Sequence, residues 1–301
     1  MAFPSPLFLL TTPHSFGSRL AAMLGQHAAV YAPAELNLLA ADRVVDLFDA
    51  LPAQGTQGLL RTIAQLYGGE QTLESIDMAR RWLYRRAHMT TSEVLAELCA
   101  QVAPRRLVVY GEAYSAPTWA ARLTQLRHAF PQGRFLHLTR HPWDQCRTWF
   151  SDPDGLARLY LADALDKTGL NPVPDPQIDW YRRHRGILDF LHGVPDELQY
   201  QLRVEDLLGD ARLALARLCA WLGLAWSQAQ FEAMCRPEQS PYAGVGPYGA
   251  EGGMDAEFLK DPAQPLSPPA PAPLEQPLPW RTDGGRLTPE TIALAQLFGY
   301  G

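Results

Sequence analysis

The first twenty-five residues constrain the fold of this chain more than any other segment. Leu7-Phe8-Leu9-Leu10 is a short apolar run that stops at Thr11-Thr12-Pro13, the pattern of a buried strand. His14-Ser15-Phe16-Gly17-Ser18-Arg19 follows, and then Leu20, Met23 and Leu24 fall at helical spacing. A strand that runs through a short loop into a helix belongs to a parallel sheet, because parallel strands need a crossover between them.

The rest of the chain repeats this alternation. Leu107-Val108-Val109-Tyr110 reads as a strand ending at Gly111-Glu112, with a helix from about Thr118 to Phe130 behind it. Arg134-Phe135-Leu136-His137-Leu138-Thr139-Arg140 is a further strand, followed by Pro142 and a helix to about Phe150. Tyr200-Gln201-Leu202-Arg203-Val204 precedes an amphipathic helix carrying Leu213, Leu215, Leu218 and Leu222. These runs predict an α/β fold, with a central, mostly parallel sheet flanked by helices. Between the first two runs the pattern is helical. Val44, Leu47, Phe48 and Leu51 share one face, as do Val94, Leu95 and Leu98 after a cap at Thr91 or Ser92. Turns are expected near Gly55, Gly58 and Gly68-Gly69 in this insertion of about residues 40–100. Residues 264–279 are too rich in proline for helix or central strand and read as an extended surface arm. A last helix spans about 288–298, with Pro289 in its first turn. At 301 residues and 47% hydrophobic, the chain fits one domain over 1–301.

Composition narrows the partners. A net charge of -6 argues against a general nucleic-acid binder but leaves room for a local basic pocket. Cys99, Cys146, Cys219 and Cys235 lack the spacing of a zinc site, so no metal is expected, and the chain reads as reduced and intracellular. Neither a signal peptide nor a membrane-spanning run is apparent, which makes a cytoplasmic location the expectation.

The loop after the first strand is suited to anions. The first N–H groups of a helix have no partners within it, and the helix dipole is positive there. Ser15 and Ser18 add hydroxyls, Gly17 admits close backbone approach, and His14 or Arg19 could add charge. The Gly-Lys-Ser/Thr ending of a Walker A loop is absent. Taken alone, the segment reads equally well as a tight turn capped by Ser15. Three further segments favour the anion reading. Arg140 ends a strand, where open α/β sheets bind ligands, and Thr148 stands eight residues on. Leu202 to Asp210 runs from strand into capped helix, and Tyr31 to Leu39 sets Glu35 on a loop after the first helix.

With these segments in order, the chain resembles the sulfotransferases that use 3′-phosphoadenosine 5′-phosphosulfate (PAPS). It is most similar to the sulfotransferase domains of polyketide synthases. The resemblance runs from Phe8 to about Tyr300 and rests on Pro-Ala-Glu-Leu-Asn-Leu-Leu at 33–39, His-Leu-Thr-Arg-His-Pro at 137–142, Val-Glu-Asp-Leu at 204–207, and the loop Gly252-Gly253-Met254-Asp255. It implies a P-loop-like sulfotransferase fold in which His14, Ser15, Phe16, Gly17, Ser18 and Arg19 meet the 5′-phosphosulfate. Arg140 and Thr148 would hold the 3′-phosphate, and residues 252–260 would close over the nucleotide. Two departures stand out: His14 and Phe16 occupy positions where the family has an arginine and a glycine, and Glu112 follows the second strand where a lysine is usual.

The implied reaction moves a sulfuryl group from PAPS to a hydroxyl, on a small substrate or a β-hydroxyacyl chain tethered to an acyl carrier protein. Glu35 is the first candidate base and His14 the second. Glu35 could equally cap a neighbouring helix. His27, His88, His128 and His192 read as solvated or capping residues. Arg80, Arg81, Arg85 and Arg86 would offer an acidic carrier a basic patch, or form a solvated face paired with Glu74 and Asp77. A sulfotransferase-fold protein that has lost PAPS use, for another reaction or a docking role, is the alternative.

Overall fold

A computed structural model describes residues 3–111, 119–267 and 273–301. Its strands are β1 (Leu7–Leu10), β2 (Val30–Tyr31), β3 (Arg106–Val109), β4 (Arg134–Thr139), β5 (Leu165–Asp166), β6 (Val173–Pro174) and β7 (Gln199–Arg203). Five form one parallel sheet in the order β2-β3-β1-β4-β7, while β5 and β6 make a small antiparallel pair. All four strands expected from the sequence are present and parallel. In register, Leu7 lies opposite Val108 on one side and Arg134 on the other, and Leu10 lies opposite His137. β1 sits at the centre with helices over both faces, so every one of its side chains is buried. That is the physical reason for an unbroken apolar run rather than an alternating one.

The order of connections sets the site. From β1 the chain turns toward β2 and β3, whereas from β4 it crosses to β7. The loops leaving β1 and β4 therefore diverge at their C-terminal ends and open a crevice between them.

The insertion is helical as expected, over Val44–Ala50, Gln57–Ile63, Leu73–Tyr84 and Thr91–Val102. Several details differ. The cap of the last helix is Thr90, not Thr91 or Ser92. Thr90 and Glu93 form a reciprocal capping box, and the Thr91 hydroxyl donates to the Ala41 carbonyl at 2.9 Å. Gly58 lies inside a helix rather than in a turn, because that helix packs on the backbone of Glu35; a Cβ there would stand 2.1 Å from the Glu35 carbonyl oxygen. Phe48 and Leu213 are exposed, while Leu47, Leu215, Leu218 and Leu222 are buried. Phe48 stacks instead on exposed Tyr84. His27 is buried, its ring held between the Ala225 carbonyl and the Ala29 N–H.

The proline-rich arm is anchored rather than simply laid on the surface. Leu274 and Leu278 enter a second core with Cys146, Trp180, Leu294 and Phe298. Pro268, Pro269 and Pro271 lie outside the described residues. No helix among the described residues is long and apolar enough to cross a membrane.

Candidate active site

The loop after β1 is held in an uncommon conformation. His14 and Phe16 have φ of 60° and 72°, the left-handed region that side chains with a Cβ seldom occupy, at a cost on the order of 1 kcal/mol each. The surroundings over-determine this shape. Ser15 donates to the Thr12 carbonyl at 2.5 Å and contacts the Thr11 hydroxyl. Gln145 donates through Nε2 to Thr12 Oγ1 at 2.5 Å and to the Pro13 carbonyl at 2.6 Å. Behind Thr12 lie two fully buried imidazoles, His184 and His137, hydrogen-bonded to each other at 2.8 Å. Phe16 precedes the helix Gly17–Gly25 without a side-chain cap, so the helix-end N–H groups are not covered by a hydroxyl. The expected cap, Ser15, turns back into the loop. Gly17 packs on Thr11, where a Cβ would stand 3.1 Å from the Thr11 methyl.

Arg140 leaves the end of β4 and donates to the His14 carbonyl at 2.7 Å, which joins the two expected anion-holding segments. His141 then caps the helix Pro142–Thr148 through its ring, while its own N–H meets Glu205 at 2.8 Å. Thr148, the expected partner of Arg140, donates instead to the Gln145 carbonyl at 2.6 Å and does not line the cleft. That carbonyl lies three residues back in the same helix, within the hydroxyl's direct reach.

A cleft of about 170 Å³ opens between these loops. Its wall includes His14, Phe16, Arg19 and Arg140, and opposite them Asp255, Glu257, Phe258 and Gln264. Arg19 lies across its base, buried, and donates to the carbonyls of Asp261, Pro262 and Gln264 at 2.7–3.2 Å. Its charge thus holds a strap, residues 261–264, across the cleft. Burial moves the Arg19 pKa downward, while nearby carboxylates, chiefly Asp261, oppose the shift.

Glu35 stands on the other side of the loop, half-buried and outside the cleft lining. Its N–H donates to the Gly253 carbonyl at 2.8 Å, and Gly253, at φ 92°, packs on Gly58. Tyr110 connects it to the loop. This buried phenol donates to Met254 Sδ at 2.8 Å and is raised well above its ordinary pKa, first by burial and then by the charge of Glu35. Ser18, also buried, accepts from the Asp255 N–H at 2.8 Å. The segment 252–255 therefore lies against both the loop and Glu35. By sequence Tyr110 reads only as the end of a strand, which the fold ends one residue earlier at Val109; the signal that marks it is a phenol closing an otherwise aliphatic buried run.

His14 is the least settled group of the cleft. Its Nε2 is buried without a hydrogen-bond partner, 3.4 Å from Asp152 Oδ2, and its ring meets the edge of Trp149. Burial above all, with Arg158 and Arg140 adding and Asp152 opposing, lowers its pKa to about 4. Glu112 lies outside the described residues.

Comparison with known proteins bears on this arrangement. A family model described as the sulfotransferase family matches residues 6–228. The omega-hydroxy-beta-dihydromenaquinone-9 sulfotransferases Stf3 of Mycobacterium bovis and Mycobacterium tuberculosis are each 33% identical over 110 residues, 36% of this chain. That match spans only 27% of the length of those relatives. Among solved structures, the sulfotransferase domain from the curacin biosynthetic pathway is 22% identical with a TM-score of 0.73, covering 99% of this chain and 98% of its own. The sulfotransferase domain from the Synechococcus PCC 7002 olefin synthase is 23% identical with a TM-score of 0.71, covering 99% and 95%. At such identities the likeness is one of fold.

Proposed function

Since this chain belongs to the sulfotransferase family, we propose that it transfers a sulfuryl group from PAPS to a hydroxyl. The observation that carries the reading is the hydrogen bond from Arg140 to the His14 carbonyl. It brings a guanidinium and an uncapped helix N-terminus to one cleft at the sheet's switch point. The donor would supply an activated sulfuryl group and a phosphate leaving group. The residues present fit its anionic parts through Arg140, the helix-end N–H groups and His14, and less through Ser15 and Ser18, whose hydroxyls are engaged internally. Thr148 would have to turn from the Gln145 carbonyl to join them.

Glu35 is the proposed base. A carboxylate beside a buried phenol sits in a poorly solvated place, where it can take a hydroxyl proton as the bond to sulfur forms. The acceptor we favour is a hydroxyacyl chain on an acyl carrier protein, reached through the helical insertion.

Equilibrium binding of adenosine 3′,5′-bisphosphate tests the reading. Arg140→Ala should weaken binding by about 30-fold or more, about 2 kcal/mol for hydrogen bonds to a charged group. Wild-type affinity in that variant would remove Arg140 from the site. A second reading, a relative that no longer uses PAPS, draws on the two carboxylates Asp255 and Glu257 in the cleft. Failure of the wild-type protein to bind the bisphosphate would favour it.

A further inference from the structure

We propose that an anion entering the cleft draws a proton from solvent onto His14, so that binding is coupled to proton uptake. The inference rests on the nucleotide reading above and deepens it. Its first ground is geometric. A buried nitrogen without a hydrogen-bond partner is costly, and His14 Nε2 is such a nitrogen. A carboxylate oxygen of Asp152 lies 3.4 Å away, close enough to receive a hydrogen bond once the ring is protonated. The ring cannot easily leave. Arg140 holds the His14 carbonyl, Trp149 packs against the imidazole, and the backbone sits in a left-handed conformation fixed by Gln145 and Ser15.

The second ground is the charge around the cleft. Its described ionisable lining residues are His14, Arg19, Arg140, Asp255 and Glu257, so with His14 neutral two cations face two carboxylates. The groups packed on His14 itself are Asp152, following the helix Pro142–Thr148, Arg158 on the helix Gly155–Leu161, and Arg140 at the end of β4. Asp152 and Arg158 pair with each other at 3.1 Å and largely cancel. A cleft with no formal excess of either sign offers a phosphate Arg140 and the helix-end N–H groups but no net positive charge. One proton on the ring changes that balance: both nitrogens then carry hydrogen, and Nε2 becomes a donor to Asp152. The unliganded pKa of about 4 agrees with a group that is neutral until an anion arrives. His14 then acts as a conditional cation, charged only while an anion is bound.

Calorimetric titration with adenosine 3′,5′-bisphosphate, in buffers of differing ionisation enthalpy, counts the protons exchanged. At about pH 6, wild type should take up close to one more proton per nucleotide than His14→Asn, a variant that tolerates the left-handed backbone. The comparison removes the contribution of the nucleotide's own phosphates, which titrate near pH 6. Wild-type affinity should also fall by up to tenfold per pH unit between the free-state value of about 4 and the bound-state pKa, and level off above it, whereas His14→Arg should bind without uptake and without that slope. Equal proton counts in wild type and His14→Asn would overturn the proposal. If the bisphosphate does not bind to the wild-type protein, the nucleotide reading fails. Inorganic pyrophosphate then decides for His14: binding with uptake sustains the proposal, while binding without uptake, or no binding, overturns it.

Discussion

At the scale of single residues, the proposed base is held by main chain on two sides. Glu35 is placed by its backbone, through its N–H on Gly253 and its carbonyl against Gly58, which leaves its carboxylate to the surroundings of Tyr110. Glu35→Gln keeps that shape and removes the proton acceptor. Turnover in a sulfuryl-transfer assay should fall by roughly 10²–10⁴, while bisphosphate affinity stays within about twofold. A loss confined to affinity would assign Glu35 to binding instead. Gly58→Ala makes the complementary case. Its Cβ would collide with the Glu35 carbonyl, so this substitution in a different helix should displace the loop and lower turnover without touching any ionisable group.

Among the elements, the strap and the capped helices are the informative parts. The cleft, at about 170 Å³, is smaller than the ~300–1,000 Å³ usual for small-molecule sites. On the proposed reading the strap has to yield to a nucleotide, and Arg19 ties it down through three carbonyls. Arg19→Met keeps the side chain's length but not its donors. Hydrogen exchange should speed up across residues 261–267 in that variant and remain unchanged in the sheet. Unchanged exchange throughout would mean that the arm's anchors at Leu274 and Leu278 hold the strap without help. In the insertion, Thr90→Ala removes a capping box and should cost about 1 kcal/mol in chemical unfolding. Ser92→Ala, at one of the two cap positions expected from the sequence, should cost much less.

For the whole molecule, pH and salt are the useful probes. His14 and His137 have pKa values lowered to about 4 and about 3, and His184 is lowered well below its ordinary range, in each case chiefly by burial. The native state thus binds fewer protons than the unfolded one in acid. Stability should be fully present above about pH 6.5 and fall as pH drops toward 4 and 3, by up to ~1.4 kcal/mol per unit for each histidine. Urea midpoints between about pH 7 and 4.5 would show it, and a flat profile would contradict the burial of the His137–His184 pair. The arginine patch is smaller than its sequence implies. Arg80 pairs with Asp77 and Arg86 with Glu97, while Arg81 and Arg85 are exposed without an ionic partner among the described residues. Charge reversal at those two should weaken transfer to a carrier-bound acceptor, most at low salt, and spare a small free one; equal effects on both would remove the patch from docking. Sequence alone determined the four parallel strands, because burial on both faces of a sheet demands continuous apolar runs such as 7–10. It also marked the loop before Gly17 and the arginine at the end of β4, since short segments carry their own local chemistry. Which partner each side chain takes was decided only in three dimensions. Arg19 meets a strap some 240 residues away, Thr148 turns to its own helix, and Tyr110 joins Glu35 to Ser18. Hydrogen bonds and desolvation act over a few ångströms, and only the folded chain brings such distant residues that close.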